Sequence, residues 1–200
     1  MDTIQAIDNL KQYIEAIYNR TGEKIGANIY RGHLRSISTD IEDGIAIFVA
    51  GILPDSYKIL IDASIHVDGK NNRPDLLIVD GENRVKALVE IKANMGWCRN
   101  ASRVIDHIIS NDAKFIKQKN LSCEFSKDDE LDITYHEGVK RFLIALTNEN
   151  CTAKDHQANQ AYASANGVSY YCLFSGWYNS LSNFEIAEFA EKLLDLSKTD

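Results

Sequence analysis

Residues 73–93 read RPDLLIVDGENRVKALVEIKA. Two almost wholly apolar runs, LLIV and VKALVEI, flank a tight turn, and no other feature constrains the fold as much. Short apolar runs bounded by Asp, Gly and Asn suit neighbouring strands of a sheet covered on both faces. Into these runs are set Asp75, Glu90 and Lys92. An ionised side chain taken out of water costs several kcal/mol unless it is compensated. These three groups therefore either face solvent or share a partner.

With the turn centred between Glu82 and Asn83, an antiparallel pairing sets Asp75 opposite Glu90, and opposed residues share a face. Lys92, two residues beyond Glu90, points the same way. A slip of one residue would undo this arrangement. Two adjacent carboxylates repel each other, and a hard divalent ion relieves the conflict. Mg²⁺ is commonly held by one or two carboxylates together with waters and substrate phosphates. Such a site suits hydrolysis of a phosphodiester. The plainer alternative is a solvated Glu-x-Lys, whose cross-strand charges contribute only about 0.2–1 kcal/mol.

The rest of the chain agrees with a soluble α/β domain. Two hundred residues suffice for one sizeable core, and 44% hydrophobic with 26% charged residues is ordinary for a globule. The net charge of −7 disfavours binding nucleic acid through the whole surface, so such contact must be local. Four dispersed cysteines form no zinc or disulfide pattern. No signal-peptide pattern or membrane-length apolar run is present, so a cytoplasmic location is expected.

Apolar periodicity predicts helices over 3–20, 39–53, 99–119, 153–166 and 183–196. The strictly alternating YKILIDASIHV, residues 57–67, predicts one half-buried strand. Further strands are expected at 76–79, 85–91, 141–147 and 168–174, with a turn at 68–72 and a solvated acidic loop, KDDELD, at 127–132. The order α, α, β, β, β, α, β, α, β, α suggests a mixed sheet flanked by helices.

Pro74-Asp75, fourteen residues, then Glu90-Ile91-Lys92 resembles the signature of the PD-(D/E)XK nuclease superfamily. The elements from 39 to 147 likewise resemble its αβββαβ core, the restriction-endonuclease-like α/β fold. The resemblance implies one nuclease-like domain over 1–200. Residues 1–37 would be an N-terminal helical extension, 39–147 the core, and 148–200 the completion of sheet and helices. It implies that Asp75 and Glu90 bind Mg²⁺ (Mn²⁺ substituting), with the Ile91 carbonyl as a further ligand, and that Lys92 positions the attacking water. In-line attack would leave a 5′-phosphate and a 3′-hydroxyl. Glu42 matches a glutamate that many members carry on the preceding helix, with Asp43 as neighbour. Against this, Thr39-x-x-Glu42 reads as a capping box.

Other residues could border the site. Asp62 and His66 share the polar face of the first strand; Arg31, His33 and Arg35 form a basic loop suited to phosphate oxygens; Trp97 could stack on a base or anchor packing. Lys114, Lys117 and Gln118 could reach a substrate backbone, though a solvated helix face is the simpler expectation. No phosphate-binding loop or dinucleotide fingerprint occurs, so no nucleotide cofactor is expected. The expected function is a divalent-metal-dependent endonuclease acting on duplex DNA, a small restriction or defence enzyme. A homodimer is expected, touching through the apolar faces of the first and last helices. The alternative is a non-catalytic binding or regulatory module that keeps the fold.

Overall fold

The computed structural model describes residues 2–22, 37–94, 101–126, 129–176 and 180–198. The apolar stretch IAIFVAGI winds into helix α2 (Ser38–Ile52), which ends just before Pro54, where a backbone donor is missing. Helix α1 (Thr3–Gly22) packs across it through Leu10, Ile14 and Ile17. The two helices approach closely at Gly44, where a Cβ would stand 2.7 Å from Cδ1 and Cε1 of Tyr13. Gly44→Ala gains up to ~1 kcal/mol of helix propensity but overpacks this seam at a cost of ~1–3 kcal/mol. A net loss of about 1 kcal/mol is therefore expected in urea unfolding.

Six strands form the main sheet in the order β1 (Lys58–Ile61), β4 (Leu76–Val79), β5 (Val85–Asn94), β8 (Lys140–Thr147), β9 (Ser169–Ser175) and β10 (Ser182–Asn183). The β5–β8 and β8–β9 pairs are parallel and the others antiparallel. Helices α1, α2 and α5 (Ile186–Leu196) build the core on one face. On the other face lie α3 (Ala101–Gln118), α4 (Ala153–Ala165) and a smaller sheet. The latter runs β3 (Lys70–Asn72), β2 (Ser64–Val67), β6 (Asn120–Ser126), β7 (Asp129–Thr134). Among the described residues no helix is long and apolar enough to cross a membrane.

The smaller sheet corrects three expectations. The segment 57–67 is two strands in two different sheets, broken at Asp62, whose φ of 47° turns the chain out of the main sheet. The 68–72 turn contains β3, and residues 129–132 of the acidic segment lie in β7, which pairs along β6. The smaller sheet is thus built from two excursions, each closed at its neck by a backbone hydrogen bond. Asp62 N–H donates to Asp75 O at 3.1 Å, and Tyr135 N–H donates to Lys119 O at 2.6 Å. Lys119, like Asp62, has positive φ, 64°.

Most of the apolar residues of the first and last helices pack inward. Leu10, Ile14 and Ile17 of α1 and Phe189, Ala190 and Leu193 of α5 are buried in the protomer's own core. On the opposite side, α3 is tied to the start of β8 through buried Asp112. It accepts Tyr135 O–H at 2.7 Å and Arg141 Nη1–H at 3.1 Å.

Candidate active site

The β4–β5 hairpin positions the site. Its turn is held by Asp80, whose Oδ1 accepts the N–H groups of Glu82 and Arg84, both at 2.9 Å, while Oδ2 accepts Arg84 Nε–H at 2.7 Å. Burial alone would raise the Asp80 carboxyl, but these donors outweigh it and hold the group below the ordinary carboxylate range. Beyond one irregularity at Ile78/Val79, the register is Ile78↔Ala87, Leu77↔Leu88, Leu76↔Val89. One further step sets Asp75 opposite Glu90, the pairing expected from the turn.

Leu77, Val79 and Leu88 pack into the core shared with α3 and the smaller sheet. By the two-residue period of a strand, Asp75, Glu90 and Lys92 project to that same side. The three side chains are only 21%, 18% and 28% exposed. Lys92 Nζ donates to Glu90 Oε1 at 2.7 Å and to the Ile91 carbonyl at 2.9 Å, and stands 3.7 Å from Asp75 Oδ2. Asp75 Oδ2 also accepts Ile91 N–H at 2.6 Å, which fixes the plane of its carboxylate. Ala145 of β8 lies beside Lys92 in register.

The Asp75 carboxyl is pushed up to about 6, by burial first. Repulsion from Glu90 adds to this, and the Ile91 N–H and Lys92 offset only part of it. Glu42 is raised as well, by burial first and then by Asp75 and Asp62, so its carboxylate is within electrostatic reach of the site. The capping-box reading of Glu42 does not hold: Ile37 occupies the N-cap position and Thr39 lies inside the first turn. Asp62 borders the site through its bond to Asp75 O, and its carboxylate is 3.8 Å from Arg73 Nη1. His66 instead stands on the smaller sheet, 3.4 Å from Glu124. Arg31, His33, Arg35 and Trp97 lie outside the described residues.

Among the described residues, no three His, Cys, Asp or Glu side chains are gathered to cage an ion. The donor set is Asp75, Glu90 and the Ile91 carbonyl, all reached by one ammonium. Three protein oxygens of this kind, completed by water and phosphate oxygens, fit the manner in which Mg²⁺ is usually bound.

Neither a family model nor a curated protein matches the sequence. Among solved structures, NucC of P. aeruginosa ATCC27853, in a cAAA-bound form, is similar with a TM-score of 0.57. The likeness covers 98% of this chain and 90% of that one at 11% identity. The fold is that of the PD-(D/E)XK nucleases. Within this PD-(D/E)XK fold, α2, β1, β4, β5, α3 and β8 are the expected αβββαβ core, and the smaller sheet is inserted at two points between its elements. The Pro-Asp and Glu-Ile-Lys segments fall on the hairpin at its centre.

Proposed function

We propose that this protein is a divalent-metal-dependent endonuclease that hydrolyses phosphodiester bonds in DNA. The observation that carries the reading is the convergence of Asp75, Glu90 and Lys92 on one face of a buried hairpin in a nuclease fold. Two carboxylates and an ammonium serve no packing purpose there, and burying them costs stability.

Asp75, Glu90 and the Ile91 carbonyl would hold Mg²⁺ or Mn²⁺. A cation bound there supplies Lewis-acid polarisation of the phosphoryl oxygen and makes water more acidic. Asp75 enters the reaction with its carboxylate oriented by the Ile91 N–H. Lys92 orients the attacking water in line with the leaving oxygen and stabilises negative charge as it develops on phosphorus. Glu42, at the edge of the site, is suited to take up a proton because its own affinity for one is raised. The products are a 5′-phosphate and a 3′-hydroxyl. A homodimer would bring two such sites to a duplex.

Two observations favour the alternative of a non-catalytic module. No three-residue cage exists among the described residues, and Lys92 already engages the donor oxygens. A cleavage assay separates the two readings. Plasmid, linear duplex and single-stranded DNA, and RNA, would be incubated with Mg²⁺, Mn²⁺ or EDTA. Each would be tested with and without cAAA, because the NucC structure is a cAAA-bound form. The expected outcome is metal-dependent DNA cutting that Lys92→Ala lowers about 10²–10³-fold with folding unchanged. Equal activity in EDTA, or in the variant, sinks the proposed mechanism. No cutting under any condition favours the non-catalytic module.

A further inference from the structure

A second ammonium lies on the same side of the main sheet, and the chemistry above does not use it. Lys114 of α3 donates from Nζ to Asn111 Oδ1 at 3.1 Å and to Asn72 Oδ1 at 3.4 Å. Both asparagines are buried, at 6% and 9% exposure. Each has its amide nitrogen engaged elsewhere. Asn72 Nδ2 donates to the carbonyls of Lys70 at 3.2 Å and Ile65 at 3.4 Å, and Asn111 Nδ2 lies 3.0 Å from His107 Nε2. Their oxygens are thus left to face Lys114, which a freely solvated lysine would not require. By contrast Lys117 and Gln118, the other polar candidates of this helix, are exposed.

The two partners are neutral. Among the described residues no carboxylate is ion-paired with Lys114, whereas Asp112, two residues away, is met by Arg141. An ammonium held by amide oxygens keeps its whole charge and a third N–H direction for an incoming anion. Asn72 is three residues from Asp75, so the chain between them spans at most about 10 Å. The anchor and the carboxylates are thus close enough together to face neighbouring phosphates of one strand.

We propose that Lys114, held by Asn72 and Asn111, contacts a backbone phosphate of the nucleic-acid strand whose scissile bond lies at Asp75, Glu90 and Lys92. The proposal rests on the nuclease reading and adds to it a built anchor on the seam between α3 and the smaller sheet. An ammonium has no acceptor and no planar fork, so it supplies position and affinity, not base identity. It also gives an acidic protein the local positive charge that binding needs.

The test is steady-state cleavage of two linear duplexes of unrelated sequence, at several salt concentrations. Wild type would be compared with Lys114→Gln, Lys114→Arg and Lys154→Gln, the last an exposed lysine on α4. Lys114→Gln is expected to raise KM about five- to tenfold on both duplexes and leave kcat within about twofold. The slope of log(1/KM) against log salt should shrink by about one. Lys114→Arg should recover most of the affinity, and Lys154→Gln should match wild type. Thermal unfolding of Lys114→Gln near wild type excludes misfolding as the cause. An unchanged KM and salt slope in Lys114→Gln overturns the proposal while cleavage by wild type leaves the nuclease reading standing. The same loss in Lys154→Gln also overturns it, since diffuse charge would then suffice. A wild type that cuts neither duplex with Mg²⁺ or Mn²⁺, with or without cAAA, removes the reading as a duplex nuclease, and this anchor with it.

Discussion

Asp75→Asn is expected to abolish cleavage and at the same time make the metal-free protein more stable. The site places a carboxylate where burial and Glu90 oppose its ionisation, raising it from 3.8 to about 6. In the unfolded chain that proton is released near 3.8. Between these values the folded state holds a proton that the unfolded state has lost, so the contribution to stability is complete below about pH 4 and vanishes as pH rises through about 6. Above pH 7 the ionised Asp75 therefore costs on the order of 3 kcal/mol. Asparagine keeps the acceptor for Ile91 N–H and carries no charge. Thermal unfolding in EDTA should show Asp75→Asn melting about 6–12 °C higher than wild type at pH 8, and nearly equal to it at pH 4. Cleavage should fall at least about a thousandfold. A Tm difference independent of pH would refute the electrostatic account. Mg²⁺ should raise the Tm of wild type and not that of the variant, since only the former has the full donor set.

The second large effect lies away from the site, at Glu185. Its buried carboxylate accepts Cys172 N–H at 2.6 Å and Gln160 Nε2–H at 2.8 Å, and lies 2.7 Å from His156 Nε2. One side chain thereby ties β9, α4 and the start of α5. The His156 ring is enclosed by Tyr170 and Phe184, with centroids 5.2 and 5.5 Å away. Glu185→Ala leaves the Cys172 N–H and the His156 ring buried without their acceptor and the half-buried Gln160 amide without its partner, at a cost of about 3–5 kcal/mol. A Tm lower by roughly 6–20 °C should result. Glu185→Gln, which keeps one acceptor and the shape, should lose less than half as much. A drop below about 1 kcal/mol in Glu185→Ala would show that water replaces the carboxylate.

Much of the core was legible because its signals are local. The DGEN turn and the apolar runs beside it define the register that opposes Asp75 and Glu90, and Pro74-Asp75 with Glu90-Ile91-Lys92 named a superfamily whose fold the structure has. The break at Asp62 was not legible. Ile59, Ile61, Ala63, Ile65 and Val67 keep the period of two straight through it, although the chain changes sheet. Leu60 is buried as well, because β1 is covered on both faces. Strand β7 was hidden by its composition: DELDIT is acidic, and an edge strand with a solvated face tolerates such residues. Lys114 read as a solvated lysine because its partners come from Asn111 on its own helix and Asn72 on a strand 42 residues earlier. Asn72 itself sits in a three-residue strand too short to predict.

The two closed necks, Asp62 with Asp75 and Lys119 with Tyr135, have a consequence for how such a protein can diverge. Residues 63–74 leave the main sheet after β1 and residues 120–134 leave the end of α3, and each excursion returns to nearly its point of departure, so the β4–β5 hairpin is insulated from whatever happens between. Lengthening either excursion adds mainly loop entropy, about 0.6 kcal/mol per doubling of a flexible loop. Asp75, fastened at the neck, need not move. The smaller sheet is in this sense an interchangeable attachment. It can be rewritten while the hairpin beneath it, with Asp75, Glu90 and Lys92, stays the same.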